Sequence, residues 1–235
     1  MSTFTTDTGR PVPAVTAAQM REIDRIAMEE TGPNLFQMME NAGANLAALA
    51  MELLEEPEAV LALAGPGGNG GGGICAARHL ANHGIGVWLC LSEPDRLGPV
   101  PALQRKIVQQ TSAKELRPEQ LGDLQPGLIL DALIGYSLSG APRGRAAELI
   151  RWANGSGAPI LALDVPSGVD ATTGNASGEY IHAHTTMTLA LPKAGLSGQL
   201  VLADIGIPEG VYRKLGLGYS TPFDRRSRVP LRRLP

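Results

Sequence analysis

The chain of 235 residues carries 20 lysines and arginines against 23 aspartates and glutamates, a net charge of −3, and 43% of its residues are hydrophobic. That length suits one α/β domain with a sizeable core, and no run of eighteen apolar residues is present to cross a membrane as a helix. Cys75 and Cys90 are the two cysteines, too few for a disulfide framework or a zinc ribbon, and they fit a reduced, cytoplasmic protein with both thiols buried.

Residues 1–15, MSTFTTDTGRPVPAV, are polar, punctuated by proline and without the apolar centre of a signal peptide, so they read as a flexible tail. Thr16 is a fitting N-cap for a helix over TAAQMREIDRIAMEE, where Met20, Ile23, Ile26 and Ala27 recur at helical spacing. Gly32-Pro33 breaks it, and NLFQMMENAGANLAALAMELL makes a second helix, alanine-rich on one side and suited to close packing. AVLALAG (59–65) is a continuous apolar run ending in glycine, as expected of a buried parallel strand. Helical periodicity resumes over 74–83, IGVWLCL (85–91) is the next strand, and VPALQRKIVQQ the next helix. GLILDALIG is a strand ending at Asp131, RGRAAELIRWANGSG a helix, and PILALDVPSGVD a strand with polar groups at its C-terminal end. TTMTLALP and GQLVLADIGIP close the series as strands.

Strands alternating with helices predict an α/β fold: a single domain over 16–217 with a Rossmann-like, doubly wound, mostly parallel sheet in three αβα layers. Residues 218–235 read as a basic tail, in which Arg225, Arg226, Arg228, Arg232 and Arg233 face Asp224 for a local net of +4, leaving −7 elsewhere. Without interleaved aromatics, that tail reads as a solvated end rather than a nucleic-acid surface.

In open parallel sheets, ligands sit beyond the carboxyl ends of the strands. Three such ends carry unusual residues here. GPGGNGGGG (65–73) holds seven glycines in nine residues, between a strand and a helix. Gly65, Gly67 and Gly70 satisfy G-x-G-x-x-G, and Glu93 follows the next strand, so a Rossmann dehydrogenase is one reading; no Gly-Lys-Ser/Thr follows, which removes the P-loop. DALIGYSLSGAPRG places Asp131 before a glycine-punctuated loop, where it could cap a helix, ligate a cation or act as a base. DVPSGVD places Asp164 at a third strand end, with Ser167 offering a hydroxyl. Asp131 and Asp164 are expected to face one crevice.

Other candidates are weaker. His79 and His83 stand i, i+4 on a helix without a third zinc ligand, His182 and His184 share a face, and all four read as surface histidines. Lys193 could meet a phosphate or be an ordinary exposed lysine. No Gly-x-Ser-x-Gly elbow appears, which argues against a serine hydrolase.

Taken in order, TAAQMREIDR, MMENAG, AGPGGNGGGG…AARHL, DALIGYSLSG, DVPSGVD, LALPKAG and VLADIGIP resemble the NAD(P)H-hydrate epimerase family, or YjeF N-terminal domain, over roughly 16–217. The resemblance implies an isomerase that interconverts the R and S hydrates of NADH and NADPH, commonly a homodimer, beside a separately encoded ADP- or ATP-dependent dehydratase. It also implies one potassium ion per subunit, held by Asn69, Asp131 and Ser167. Substrate loops would be Gly68, Asn69, Gly70, Gly71 and Gly72, and then Gly135, Tyr136, Ser137, Leu138, Ser139, Gly140 and Ala141. Asp164 would contact the substrate and act as the catalytic acid and base.

The family loop reads G-P-G-N-N-G-G-D-G, so glycine stands at 68 and 72 where the family has asparagine and aspartate, and Ser139 stands for a lysine. Two accounts follow from these departures. The site remains an epimerase with a looser pocket, or it is a weakened relative that binds nucleotides or serves as a scaffold.

Overall fold

The computed structural model describes residues 3–54 and 58–234. Ten strands form one sheet: β1 (Thr3–Thr6), β2 (Pro11–Pro13), β3 (Val60–Ala64), β4 (Val87–Leu91), β5 (Lys114–Leu116), β6 (Leu128–Ala132), β7 (Ile160–Leu163), β8 (Thr185–Leu189), β9 (Leu200–Ala203) and β10 (Arg228–Arg233). Their order is β2-β1-β10-β9-β8-β7-β6-β3-β4-β5. From β5 through β9 all neighbours pair in parallel, whereas β10, β1 and β2 add antiparallel pairs at one edge. The helices are α1 (Ala17–Ile26), α2 (Leu35–Leu53), α3 (Gly68–Asn82), α4 (Pro99–Val108), α5 (Gly144–Gly155) and α6 (Glu209–Lys214).

The central strands are apolar throughout because the pleat divides each between two cores. Val60, Ala62 and Ala64 of β3 face the larger cluster, built with α1 to α4 and α6, while Leu61 and Leu63 face a smaller one with Leu149, Ile150 and Ala153 of α5. α1 and α2 begin in reciprocal capping boxes, Thr16 with Gln19 and Asn34 with Gln37. After β3, β4 and β5 the chain crosses back to place β6 on the other side of β3. The switch in strand order thus lies between the ends of β3 and β6, where a ligand crevice is expected.

Three expectations need correction. The N-terminal segment is no tail over residues 3–13: it forms β1 and β2, with Phe4 and Val12 buried. Nor is the basic end a tail over 228–233, because β10 lies between β9 and β1 and buries Val229 and Leu231 while Pro230 and Arg232 point to solvent. Both segments are strands of period two, whose polar outer face hides an apolar inner one. Thirdly, α3 begins at Gly68 rather than residue 74, so four consecutive glycines, 70–73, lie inside a helix.

Candidate active site

A cavity of about 870 Å³ opens at the switch point, within the range of small-molecule sites. Its wall combines the turn after β3 (Pro66 to Asn69), the segment after β6 (Leu133 to Ser139, then Ala141 to Arg143) and Asp164 after β7. α1 and the residues behind it close one side with Arg21, Asp24, Arg25, Met28 and Glu29, and Leu35 and Met39 come from α2. The three strand ends singled out by sequence therefore converge.

The glycines divide by role. Gly68 lines the cavity, and a Cβ there would meet nothing within 4 Å. Gly70 to Gly73 are buried and do not line it. A Cβ on Gly70 would fall 1.8 Å from the Gly65 carbonyl oxygen, and those on Gly71, Gly72 and Gly73 would fall 2.7 Å from Val100 Cγ1, 2.8 Å from Leu163 Cδ2 and 2.3 Å from Ala132 Cβ. These glycines let α3 lie directly on the sheet and on α4. The first bond within α3 runs from Gly71 N to the Gly67 carbonyl, which leaves the N–H groups of Gly68, Asn69 and Gly70 without helical acceptors at the cavity end.

Asp131 does not face the crevice with Asp164; it is fully buried beneath it. Its Oδ1 accepts the Ser167 hydroxyl (2.5 Å) and the Leu133 amide (3.2 Å), and its Oδ2 accepts the Ser167 amide (2.8 Å). Ser167 Oγ in turn accepts from Ile134 N at 2.8 Å. No lysine or arginine pairs with Asp131 among the described residues, and burial pushes its pKa up to about 6, opposed by the Ser167 hydroxyl and the amides. Asn69 lies against Gly135, whose Cβ would come 3.1 Å from the Asn69 Cγ, and its Nδ2 is buried without a partner. Asp131 is a buried carboxylate with no cationic partner among the described residues, and Ser167 and Asn69 also offer oxygen atoms, the ligand type a hard cation prefers.

Asp164 follows β7 with a left-handed backbone, φ +69°, a conformation aspartate tolerates better than most residues and one that clusters at functional sites. Its Oδ1 accepts the Leu189 amide at 3.2 Å and the Lys193 ammonium, which also donates to the Leu189 carbonyl at 2.9 Å. Asp164 Oδ2 accepts no hydrogen bond among the described residues and is left for a ligand. Lys193 is only 1% exposed, so it is neither a surface lysine nor a phosphate anchor. Its ammonium also lies 5.8 Å from the Tyr136 ring centroid. The Tyr136 hydroxyl donates to Asp24 Oδ2 at 2.5 Å. Burial raises the Asp24 pKa, opposed by the Tyr136 hydroxyl, and burial and Asp24 raise that of Tyr136.

Of the loop residues expected after β6, Gly135, Tyr136, Ser137, Leu138, Ser139 and Ala141 line the cavity and Gly140 does not. Glu93 lines it too. Sequence reasoning missed Asp24, Arg21 and Arg143. The last two are exposed cations at the rim with no carboxylate partner among the described residues. Arg21 lies far from the glycine loop in sequence, and Arg143, although inside DALIGYSLSGAPRG, carries no motif signal of its own.

Both cysteine thiols are buried and free, and burial pushes their pKa values up to about 12. His79 does not pair with His83 as a ligand set: its Nε2 lies 2.9 Å from Glu40 Oε1, while His83 Nδ1 contacts the His79 carbonyl. His184 Nδ1 accepts from Ile160 N. No helix among the described residues is long and apolar enough to cross a membrane.

Residues 35–195 match the family model described as the YjeF-related protein N-terminus. An NAD(P)H-hydrate epimerase of Dehalogenimonas lykanthroporepellens is 52% identical over 228 residues, covering 94% of this chain and 93% of the relative. An NAD(P)H-hydrate epimerase of Truepera radiovictrix is 36% identical over 86% of this chain and 94% of its own. The bifunctional NAD(P)H-hydrate repair enzyme Nnr of Salinibacter ruber is 36% identical over 83% of this chain, which spans 41% of that enzyme. A yeast protein of known crystal structure superposes with a TM-score of 0.78 at 25% identity, over 93% of this chain and 100% of the yeast chain.

Proposed function

The chain belongs to the YjeF-related N-terminal family, and we propose that it is an isomerase interconverting the R and S epimers of hydrated NADH and NADPH. The observation that carries this reading is Asp164: a carboxylate held by Lys193 through one oxygen, with the other unbonded, in the wall of a cavity at the switch point.

Epimerisation requires the hydroxyl-bearing carbon of the hydrated nicotinamide to lose its configuration and regain it. The ring nitrogen's lone pair expels the hydroxyl, and water adds to either face of the resulting cation. Asp164 Oδ2, once protonated from solvent, gives that proton to the departing hydroxyl, which leaves as water, and the resulting carboxylate takes a proton from the water that adds back, a contribution of about 10²–10⁴-fold. Lys193 fixes the carboxylate without touching substrate. The free N–H groups of Gly68 and Asn69 suit the pyrophosphate, and the segment from Gly135 to Ala141 covers the dinucleotide.

Potassium would be held by Asp131, Ser167 and Asn69, where it supplies positive charge that offsets the buried carboxylate. Relatives that carry this unit within a bifunctional repair enzyme support a nucleotide-dependent dehydratase as the next enzyme in the sequence. Separated R-NADPH hydrate, incubated with the protein in potassium buffer, should reach its R/S equilibrium faster than the spontaneous rate. Failure of folded protein to accelerate it would move the site to the alternative noted from Gly68, Gly72 and Ser139: a binding protein that has lost its chemistry.

A further inference from the structure

Outside the cavity, a second polar cluster lies partly buried where α2, α3 and α4 meet. Small residues create it. A Cβ on Gly43 would fall 2.4 Å from Cys75 Cβ and 2.5 Å from its Sγ, and one on Gly71 2.7 Å from Val100 Cγ1, so α2 and α4 press closely on α3. That approach brings together Glu40 of α2, Cys75 and His79 of α3, and Gln104 of α4. His79 Nε2 lies 2.9 Å from Glu40 Oε1, Cys75 Sγ 3.3 Å and Gln104 Nε2 3.2 Å from Glu40 Oε2. The ligand atoms of Glu40, Cys75 and His79 all lie within 4.8 Å of one another. The 2.9 and 3.3 Å separations are near those between neighbouring ligands of an ion with bonds of about 2.0–2.3 Å.

A cation already stands at that position. Arg78 Nη2 lies 2.5 and 2.7 Å from the two Glu40 oxygens and 3.3 Å from both Cys75 Sγ and His79 Nε2. Yet the guanidinium satisfies the pocket poorly. Arg78 Nε is buried without a partner, and so is Oε1 of Gln104, a residue only 3% exposed. Buried polar atoms without partners are costly and call for an explanation. Withdrawing Arg78 to solvent frees its Nε for water. A half-turn of the Gln104 amide then brings Oε1 to the atom position now 3.2 Å from Glu40, beside the vacated centre.

From these contacts we propose that Glu40, Cys75 and His79, with the Gln104 amide oxygen, bind a thiophilic divalent ion of the zinc class that displaces Arg78. A thiolate, an imidazole and a carboxylate select zinc or its transition-metal neighbours over magnesium and calcium. Binding moves the Cys75 proton to solvent, and the ion's two charges are met by the thiolate and the Glu40 carboxylate. The Glu40 side chain is 44% exposed, which gives the ion an entry path. The bound ion pins α2 to α3, the helix that carries Gly68 and Asn69 at its other end.

Cobalt(II) added to the purified, metal-free chain tests this, because a thiolate ligand gives cobalt a near-ultraviolet charge-transfer absorption. The expected result is saturation at one equivalent, displacement by zinc, loss in Cys75→Ser and retention in Cys90→Ser. His79→Gln keeps the thiol and covers the case in which Cys75→Ser does not fold; it should weaken binding by at least about tenfold, as Arg78→Gln should strengthen it. Three results would each overturn the proposal. They are no thiolate–cobalt absorption from the unmodified chain at millimolar cobalt, an absorption that survives Cys75→Ser, or one confined to Arg78→Gln. The last would make Arg78 the permanent occupant.

Discussion

Lys193 reaches across 29 positions of sequence to bind the Oδ1 of Asp164, and both side chains are at least 95% buried. Opposite charges so deeply placed offset each other's burial cost, and removing either partner leaves the other uncompensated.

The first prediction separates chemistry from support. Asp164→Asn should lower the epimerisation rate by about 10²–10⁴-fold. It also leaves the Lys193 ammonium buried and unpaired, at a cost of about 3–5 kcal/mol of stability. Lys193→Met removes the positioning group and strands the carboxylate, with a similar loss of stability. The double variant Asp164→Asn, Lys193→Met should regain most of that stability but none of the activity. Thermal melts with chromatographic rate assays check it; a fully active Asp164→Asn removes Asp164 from the mechanism.

Asp131 supplies a prediction in pH. Its pKa is pushed up to about 6 in the fold, from the ordinary 3.8. Between those values the folded state holds more protons than the unfolded, so this group's contribution to stability falls as pH rises through the window, by about 3 kcal/mol in all. A cation beside the carboxylate opposes that loss. In potassium-free buffer the stability difference between Asp131→Asn and the unchanged chain should therefore shift in favour of the variant from about pH 4 to about pH 6. Adding potassium chloride above pH 7 should raise the melting temperature of the unchanged chain alone. An equal response in both proteins would dissociate Asp131 from any cation.

Legibility followed burial. β3, β4, β6 and β7 are covered on both faces and spell continuous apolar runs, so sequence located β3, β4, β6 and the start of β7 within a residue or two, although β7 ends at Leu163 rather than running on through DVPSGVD. β10 was hidden because Arg228, Arg232 and Arg233 surround the buried Val229 and Leu231, and charge counting saw only arginine. The first turns of α3 were hidden because glycine has poor helix propensity; its reason for being there, contact with Gly65, Val100, Leu163 and Ala132, is tertiary. Asp131, Asp164 and Ser167 stood out from their places at strand ends, although Asp131, expected in the crevice, is buried beneath it. Lys193 and Asp24 were not, since the first needs its distant carboxylate and the second needs Tyr136. A lysine set in the apolar run LALPKAG was the available signal.

Glycines 68 and 72 should respond in opposite ways to restoration of the family's side chains. Gly68→Asn enters open space at the cavity wall, so stability should change by less than about 0.5 kcal/mol, and KM for the hydrates should fall. Gly72→Asp must push Leu163 Cδ2 away and bury a charge, and should destabilise by about 1–3 kcal/mol or more. Steady-state kinetics on Gly68→Asn and melts on both decide. A harmless Gly72→Asp would mean that α3 can lift from the sheet.

The C-terminal strand gives the last test, because a strand and a solvated tail respond oppositely to mutation. Leu231 is 5% exposed and pairs in register with Leu200 of β9 and Thr6 of β1. Leu231→Ala should cost about 2–5 kcal/mol. Arg232, one residue on, points to solvent, and Arg232→Ala should change stability by less than about 0.5 kcal/mol. Removing residues 224–235 should uncover the edge of β9 and leave Phe4 paired only with β2, producing a chain prone to edge-to-edge association. Chemical denaturation of the two point variants reads the contrast directly. Equal, negligible effects would return this segment to a tail, whereas a large effect confined to Leu231 makes the basic end of the chain part of the sheet that positions the site.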